Sequence, residues 1–223
     1  MTINPKTTCI VLDLDDTLYK EYDYQTSGLS YVERELSVLY NIDLNNYLIN
    51  LRDKGVNDIF LEIIDLLGLP LNSKESLLFL YRNHMPNINL TKETISFMKS
   101  IQRDFKQVAI LTDGRSLSQR LKLKALGLAD IPVYISEEWN SKKPDEKRFV
   151  AITEKYQTCS LFCYIGDNPA IDFIAPNRLG WATYCLKGDN QNIHSQSVRE
   201  IRKEFLPNHW LNNLNEFFSF VKY

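Results

Sequence analysis

The 223-residue chain has little of what marks the specialised classes of protein. Its four cysteines, Cys9, Cys159, Cys163 and Cys185, form no CxxC pair, so neither a disulfide scaffold nor a thiolate metal site is expected. Three of them fall inside apolar runs, where a free thiol behaves as a small buried hydrophobe. Three histidines, His84, His194 and His209, stand far apart without HxxxH or HExxH spacing, which disfavours zinc chemistry and a histidine-based triad. No apolar run reaches the length of a membrane span, and the N-terminal MTINPKTTCIVLDLDD turns acidic too soon for a signal peptide. A cytoplasmic location without a membrane partner is expected. Lys and Arg total 26 against 28 Asp and Glu, a formal charge of −2, so the basic field that nucleic acid requires is missing. Eight glycines and eight prolines are too few for a low-complexity or disordered chain.

What is present is an ordinary globular composition, long enough to bury a core as one α/β domain with an insert or as two small domains. Thr8-Cys9-Ile10-Val11-Leu12 is a β-branched apolar run closed by carboxylates, as in a strand buried on both faces. From about Tyr19 to Pro86 the period becomes helical, with Val32, Leu36 and Leu39 on one stripe and Ile59, Ile63 and Leu66 on another. A further helix is predicted from Asn72, with Glu75 completing a capping box.

After Pro86 helices and strands alternate. A helix carries Ile95, Met98, Ile101 and Phe105, the strand Val108–Leu111 follows, and the next helix is read as capped by Ser116 with Gln119 and stopped at Gly127. Val133–Ile135 reads as a strand, 145–155 as a helix, Leu161–Ile165 as a strand, 170–179 as a helix and Ala182–Leu186 as a last strand. This alternation predicts a doubly wound parallel sheet. Residues 187–197 read as a polar loop. A terminal helix is expected to bury Trp210, Leu211, Leu214, Phe217, Phe218 and Val221.

Three of the strands run into reactive polar groups: Asp13, Thr112, and Asp167 after Gly166. Ligands of open α/β sheets bind at the carboxyl ends of the strands, so these side chains are expected to converge. Asp13 and Asp15 project to the same side if the extended backbone continues, and two such anions call for a cation or a proton between them. A hard divalent ion such as Mg²⁺ fits carboxylate and phosphate oxygens, and Asp167 adds a third carboxylate. Taken singly, Asp13, Asp15, Asp16, Asp167 and Asp172 also fit as turn or N-cap residues.

Asp13-Leu14-Asp15-Asp16-Thr17, then Thr112, then Lys143-Pro144-Asp145, then Gly166-Asp167-Asn168-Pro169-Ala170-Ile171-Asp172 resemble, in order and spacing, the four motifs of the haloacid dehalogenase-like (HAD) hydrolases. The resemblance implies a Rossmann-like core, residues 1–18 and 86–223, with an inserted all-helical cap of the C1 type, residues 19–85. It implies Asp13 as a nucleophile forming an aspartyl phosphate and Asp15 as general acid and then base. The Thr112 hydroxyl, the Asp113 backbone N–H and Lys143 would bind phosphate; Lys142 is the neighbouring lysine, but the Lys-Pro-Asp pattern selects Lys143. Mg²⁺ would be held by Asp13, the Asp15 carbonyl and Asp167, with Asp172 assisting. The retained Asp15 points to phosphatase rather than dehalogenase chemistry. Asp16 stands where many relatives carry Gly, and Asn168-Pro169 replaces a commoner Ser or Thr.

The expected activity is therefore Mg²⁺-dependent hydrolysis of a small phosphorylated metabolite, a sugar phosphate or nucleotide. A phosphotransferase or mutase, or a non-catalytic binding protein on the same fold, is the alternative. The tyrosine-rich segment 19–24 either lines the leaving-group pocket or packs the hinge.

Overall fold

The computed structural model describes residues 2–222. Six strands make one parallel sheet: β1 (Thr8–Leu12), β2 (Gln107–Thr112), β3 (Val133–Ile135), β4 (Leu161–Gly166), β5 (Ala182–Leu186) and β6 (His209–Leu211). Their spatial order, β3-β2-β1-β4-β5-β6, is doubly wound as expected. The chain builds outward from β1 to β3, then returns and builds from β4 to β6, so the order reverses between β1 and β4. That reversal opens the crevice where open α/β sheets hold ligands.

Both faces of the sheet are covered, which is why its central strands read as continuous apolar runs. Ile10, Leu12, Cys163 and Ile165 point into one core, and Cys9, Val11, Phe162 and Tyr164 into the other. Four helices, α1 (Glu21–Tyr40), α2 (Tyr47–Asp53), α3 (Ile59–Leu67) and α4 (Ser73–Asn83), pack around a third core containing Leu29, Val32, Leu36, Ile63 and Leu77. The remaining helices, α5 (Lys92–Asp104), α6 (Ser116–Ala125), α7 (Ser136–Trp139), α8 (Lys147–Lys155) and α9 (Ile174–Arg178), flank the sheet. All four cysteines are free and buried. Among the described residues, no helix is long and apolar enough to cross a membrane.

The structure corrects four local expectations. The terminal aromatic segment is not an α-helix but β6 followed by a 3₁₀ helix over Leu214–Phe220. Asn212 and Asn213 interrupt the apolar run, and the Asn213 side chain caps the 3₁₀ turn at the Glu216 N–H. Trp210 is consequently 37% exposed while Phe217 is fully buried. Arg115, rather than Ser116, sits at the N-cap of α6 without a side-chain cap of its own, and the Ser116 N–H donates instead to the Glu137 carboxylate at 2.7 Å. Asn72 likewise caps α4 only through its backbone position. The helix expected over 170–179 is reduced to the short α9, because Asp172 spends a carboxylate oxygen on the turn before it.

Candidate active site

The Asp13 N–H donates to the Ile165 carbonyl (2.9 Å), continuing the β1–β4 ladder one residue past β1 and setting Asp13 at the mouth of the crevice. Its Oδ1 accepts the Leu14 N–H at 2.8 Å and its Oδ2 the Lys143 ammonium at 2.7 Å. The buried Lys143 also lies 2.7 Å from Asp172 Oδ1 and donates to the Tyr164 hydroxyl at 3.2 Å. Burial opposes its charge, but Asp13 and Asp172 outweigh that and hold the ammonium well above its ordinary pKa.

Asp172 Oδ2 accepts the backbone N–H groups of Asp167 (3.1 Å) and Asn168 (2.9 Å), fixing the turn that presents Asp167. A Cβ on Gly166 would stand 2.4 Å from that oxygen, so the turn requires glycine there. Asp13, Asp167 and Asp172 are all buried, and one oxygen from each lies within 4.8 Å of the others. Burial is the main reason the Asp13 carboxyl is pushed up to about 7, against the pull of Lys143 and helped by repulsion from Asp172. Burial likewise lifts Asp167 to about 8, with the charges of Asp13 and Asp172 adding to it. Three crowded carboxyls with one ammonium are short of positive charge. Their all-oxygen donor set fits a hard divalent cation such as Mg²⁺.

Thr112 and Asp113 end β2 on the same cavity, which measures about 190 Å³. Arg148, with no exposed surface, donates to the Thr112 carbonyl (2.9 Å) and the Tyr134 carbonyl (3.1 Å), and it pairs with the Asp113 carboxylate. Asp113 in turn accepts the Lys143 backbone N–H at 3.0 Å. A buried arginine thus ties the Thr112 loop to the Lys143 loop.

Asp15 lines the cavity but stands outside the acidic triad. Its Oδ1 accepts from Tyr19 Oη (2.6 Å) and Lys122 Nζ (2.9 Å), and its Oδ2 from Gln119 Nε2 (2.8 Å). Burial disfavours its charge, yet the Lys122 ammonium and the Tyr19 and Gln119 hydrogen bonds prevail and hold the carboxyl below its usual range. Lys122 also pairs with Glu21 on the first turn of α1 (2.8 Å) and lies 4.0 Å from the centre of the Tyr24 ring. Burial, then the charge of Asp15, pushes Glu21 up to about 8.

Asp16 adopts the left-handed conformation (φ 53°), which Asp tolerates better than most residues. Its carboxylate accepts the N–H groups of Glu21 (3.0 Å) and Ile193 (2.8 Å).

Asp13, Asp15, Thr112, Asp113, Lys143 and Asp167 therefore share one cavity, and Asp172 sits beneath it. Sequence reading missed Gln119, Lys122 and Arg148. The sequence pattern makes Gln119 a capping residue, whereas its amide donates to Asp15, the Thr112 hydroxyl (3.0 Å) and the Asp113 carbonyl (2.8 Å). The readable signal was the i, i+3 placement of Gln119 and Lys122 on one face of the helix that follows Thr112.

No curated protein sequence matches the chain. Among solved structures it is similar to the HAD-hydrolase YfnB from Bacillus subtilis bound to magnesium, at 19% identity, 96% of this chain, 98% of that one and a TM-score of 0.65. It is also similar to the HAD phosphatase from Thermococcus onnurineus, at 20% identity, 95% and 96% coverage and a TM-score of 0.57. A 2-haloacid dehalogenase from Pseudomonas syringae pv. Tomato DC3000 gives 16% identity, 96% and 97% coverage and a TM-score of 0.62. These likenesses establish the fold, on which different chemistries are carried. The model of the haloacid dehalogenase-like hydrolase family matches residues 10–185, a span that includes all seven of these site residues, and the chain belongs to that family.

Proposed function

We propose that the protein is a Mg²⁺-dependent phosphatase that hydrolyses a small phosphate monoester through an aspartyl phosphate on Asp13. The observation that carries this reading is the second carboxylate, Asp15, on the cavity where Asp13 meets Lys143. An alkoxide leaving a phosphoryl group needs a proton, whereas a halide leaving carbon departs as a stable anion and needs none. In this reading Asp15 gives that proton.

An Asp13 oxygen attacks phosphorus, the bond from phosphorus to the leaving oxygen breaks, and Asp15 protonates that oxygen. Asp15 rests as a carboxylate and must first gain a proton. That proton comes from solvent, since Asp15 borders the cavity and its side chain is 26% exposed. Asp15, ionised again, then takes a proton from water as the water oxygen attacks the aspartyl phosphate, releasing inorganic phosphate and regenerating Asp13. The Thr112 hydroxyl, the Asp113 N–H and Lys143 meet the charge on the transferring phosphoryl oxygens. Mg²⁺ held by Asp13, Asp167 and the Asp15 carbonyl, with Asp172 behind them, would neutralise the same charge.

The test is phosphate release from sugar phosphates, nucleotides and small phosphorylated metabolites, with Mg²⁺ or with chelator, for wild type and Asp13→Asn. Release is expected to require Mg²⁺ and to fall by about a thousandfold or more in Asp13→Asn, as when a nucleophile is removed. Halide release from 2-chloropropionate with no phosphate release would replace this reading by the dehalogenase one. An isomerised ester without free phosphate would replace it by a mutase.

A further inference from the structure

The loop between β5 and β6 is spent on the active site. Gln196 Nε2 donates to the Asp167 carbonyl (2.7 Å) and to the Leu186 carbonyl at the end of β5 (2.8 Å). Asn192 Nδ2 donates to Asp167 Oδ2 (3.3 Å), and its Oδ1 accepts from Lys20, one residue before α1 (2.8 Å). The Ile193 N–H donates to the Asp16 carboxylate (2.8 Å). These bonds tether the loop to both acidic segments and to the entry of α1. Ile193 and the otherwise exposed His194 thereby become a wall of the cavity that holds Asp13 and Lys143. No motif of the site includes His194, and the loop reads from sequence only as a polar connection.

The rest of the wall narrows what this cavity accepts. Glu21 and Gln25, one turn apart on α1, line it together with His194, so three side chains able to exchange hydrogen bonds surround the space beyond the phosphoryl site. Apart from the His194 imidazole, no aromatic ring lines it among the described residues, which leaves a nucleobase one small ring to stack on and no second ring to clamp it. Its one lysine, Lys143, is already paired with Asp13 and Asp172, so a second phosphate has no fixed ammonium to meet. At about 190 Å³ it is smaller than the usual pocket for a drug-sized ligand.

Resting on the phosphatase reading, we infer that His194 is a specificity-determining residue which, with Glu21 and Gln25, grips a hydroxyl-rich leaving group. The substrate class is then the monophosphate of a small sugar or polyol, and not a nucleotide or a bisphosphate. Hydroxyls both donate and accept, which matches the carboxyl, amide and imidazole of the three residues that line the cavity.

The experiment compares kcat/KM with Mg²⁺ for hexose and glycerol monophosphates, nucleoside monophosphates, a hexose bisphosphate and acetyl phosphate, whose leaving group carries no hydroxyl. Wild type is expected to prefer the sugar and polyol monophosphates to the nucleotides and the bisphosphate by about tenfold or more, the worth of one good hydrogen bond. His194→Ala is expected to lower the ratio of sugar phosphate to acetyl phosphate efficiency about tenfold, mostly through KM, with His194→Asn recovering part of it. Nucleotides or the bisphosphate preferred over sugar phosphates, or a ratio unchanged in His194→Ala, overturns the assignment while acetyl phosphate hydrolysis leaves the phosphatase standing. A wild type that hydrolyses none of these compounds, acetyl phosphate included, overturns both.

Discussion

Lys122 illustrates how far one side chain reaches in this molecule. It is a core residue of α6, its side chain only 5% exposed, and it pairs with Asp15 from the loop after β1 and with Glu21 from the first turn of α1. Replacing it with methionine keeps most of the apolar stem and removes the charge, leaving buried carboxyls without their cation. The expected cost is about 3–5 kcal/mol, the usual penalty for breaking a buried pair from one side. It should appear as a lower urea midpoint at unchanged slope. Adding Asp15→Asn to Lys122→Met is expected to recover part of that loss, because it removes the stranded charge. If Lys122→Met unfolds at the wild-type midpoint, the pairing carries no stability.

At the scale of elements, the C-terminal segment adds a strand and a plug to the sheet. Phe217 of the 3₁₀ helix packs against Phe97 and Phe105 on one side and Tyr184 of β5 on the other, with ring centres 5.0 to 6.3 Å apart. Phe217→Ala is expected to destabilise the protein by about 3–5 kcal/mol, the range for truncating a fully buried phenylalanine. Trp210, in β6 but more than a third exposed, is expected to cost less than about 0.5 kcal/mol on truncation. Paired thermal melts of the two variants test this directly. Equal losses would show that the segment acts as the amphipathic helix read from its periodicity.

The whole molecule should show its crowded carboxyls in the pH dependence of stability. Asp13, Asp167 and Glu21 keep their protons in the fold up to about 7, about 8 and about 8, whereas unfolded carboxyls release theirs near pH 4. Between those values the native state binds more protons than the unfolded chain, so stability falls as pH rises through that window and levels off above about 8. Asp15, held below its ordinary value, works in the opposite sense: its contribution is complete above its unfolded pKa and is lost as acid protonates it in the fold. In chelator, Tm is therefore expected to be lower at about pH 8.5 than at about pH 5.5. Mg²⁺ should raise Tm more at the higher pH, because it binds the deprotonated ligands. A melting temperature indifferent to both pH and Mg²⁺ would mean that these carboxyls neither share a strained site nor hold a cation.

The sequence by itself determined the sheet and the positions of its polar ends. Strands buried on both faces must be continuously apolar, so β1, β2, β4 and β5 stand out, and the abrupt change to Asp13, Thr112 and Asp167 marks where each leaves the core. These are local properties, carried by neighbouring residues along the chain. Only the tertiary structure decided that the terminal aromatics form a strand and a 3₁₀ plug, since short strands take their identity from the edge they join, here β5. It alone decided which charge neutralises which. Lys122 meets Asp15 across 107 residues, Arg148 meets Asp113 across 35, and the Ile193 N–H meets Asp16 across 177. A lysine reads as a surface residue until burial removes its water, and that burial is a property of the assembled fold, not of the residues beside it.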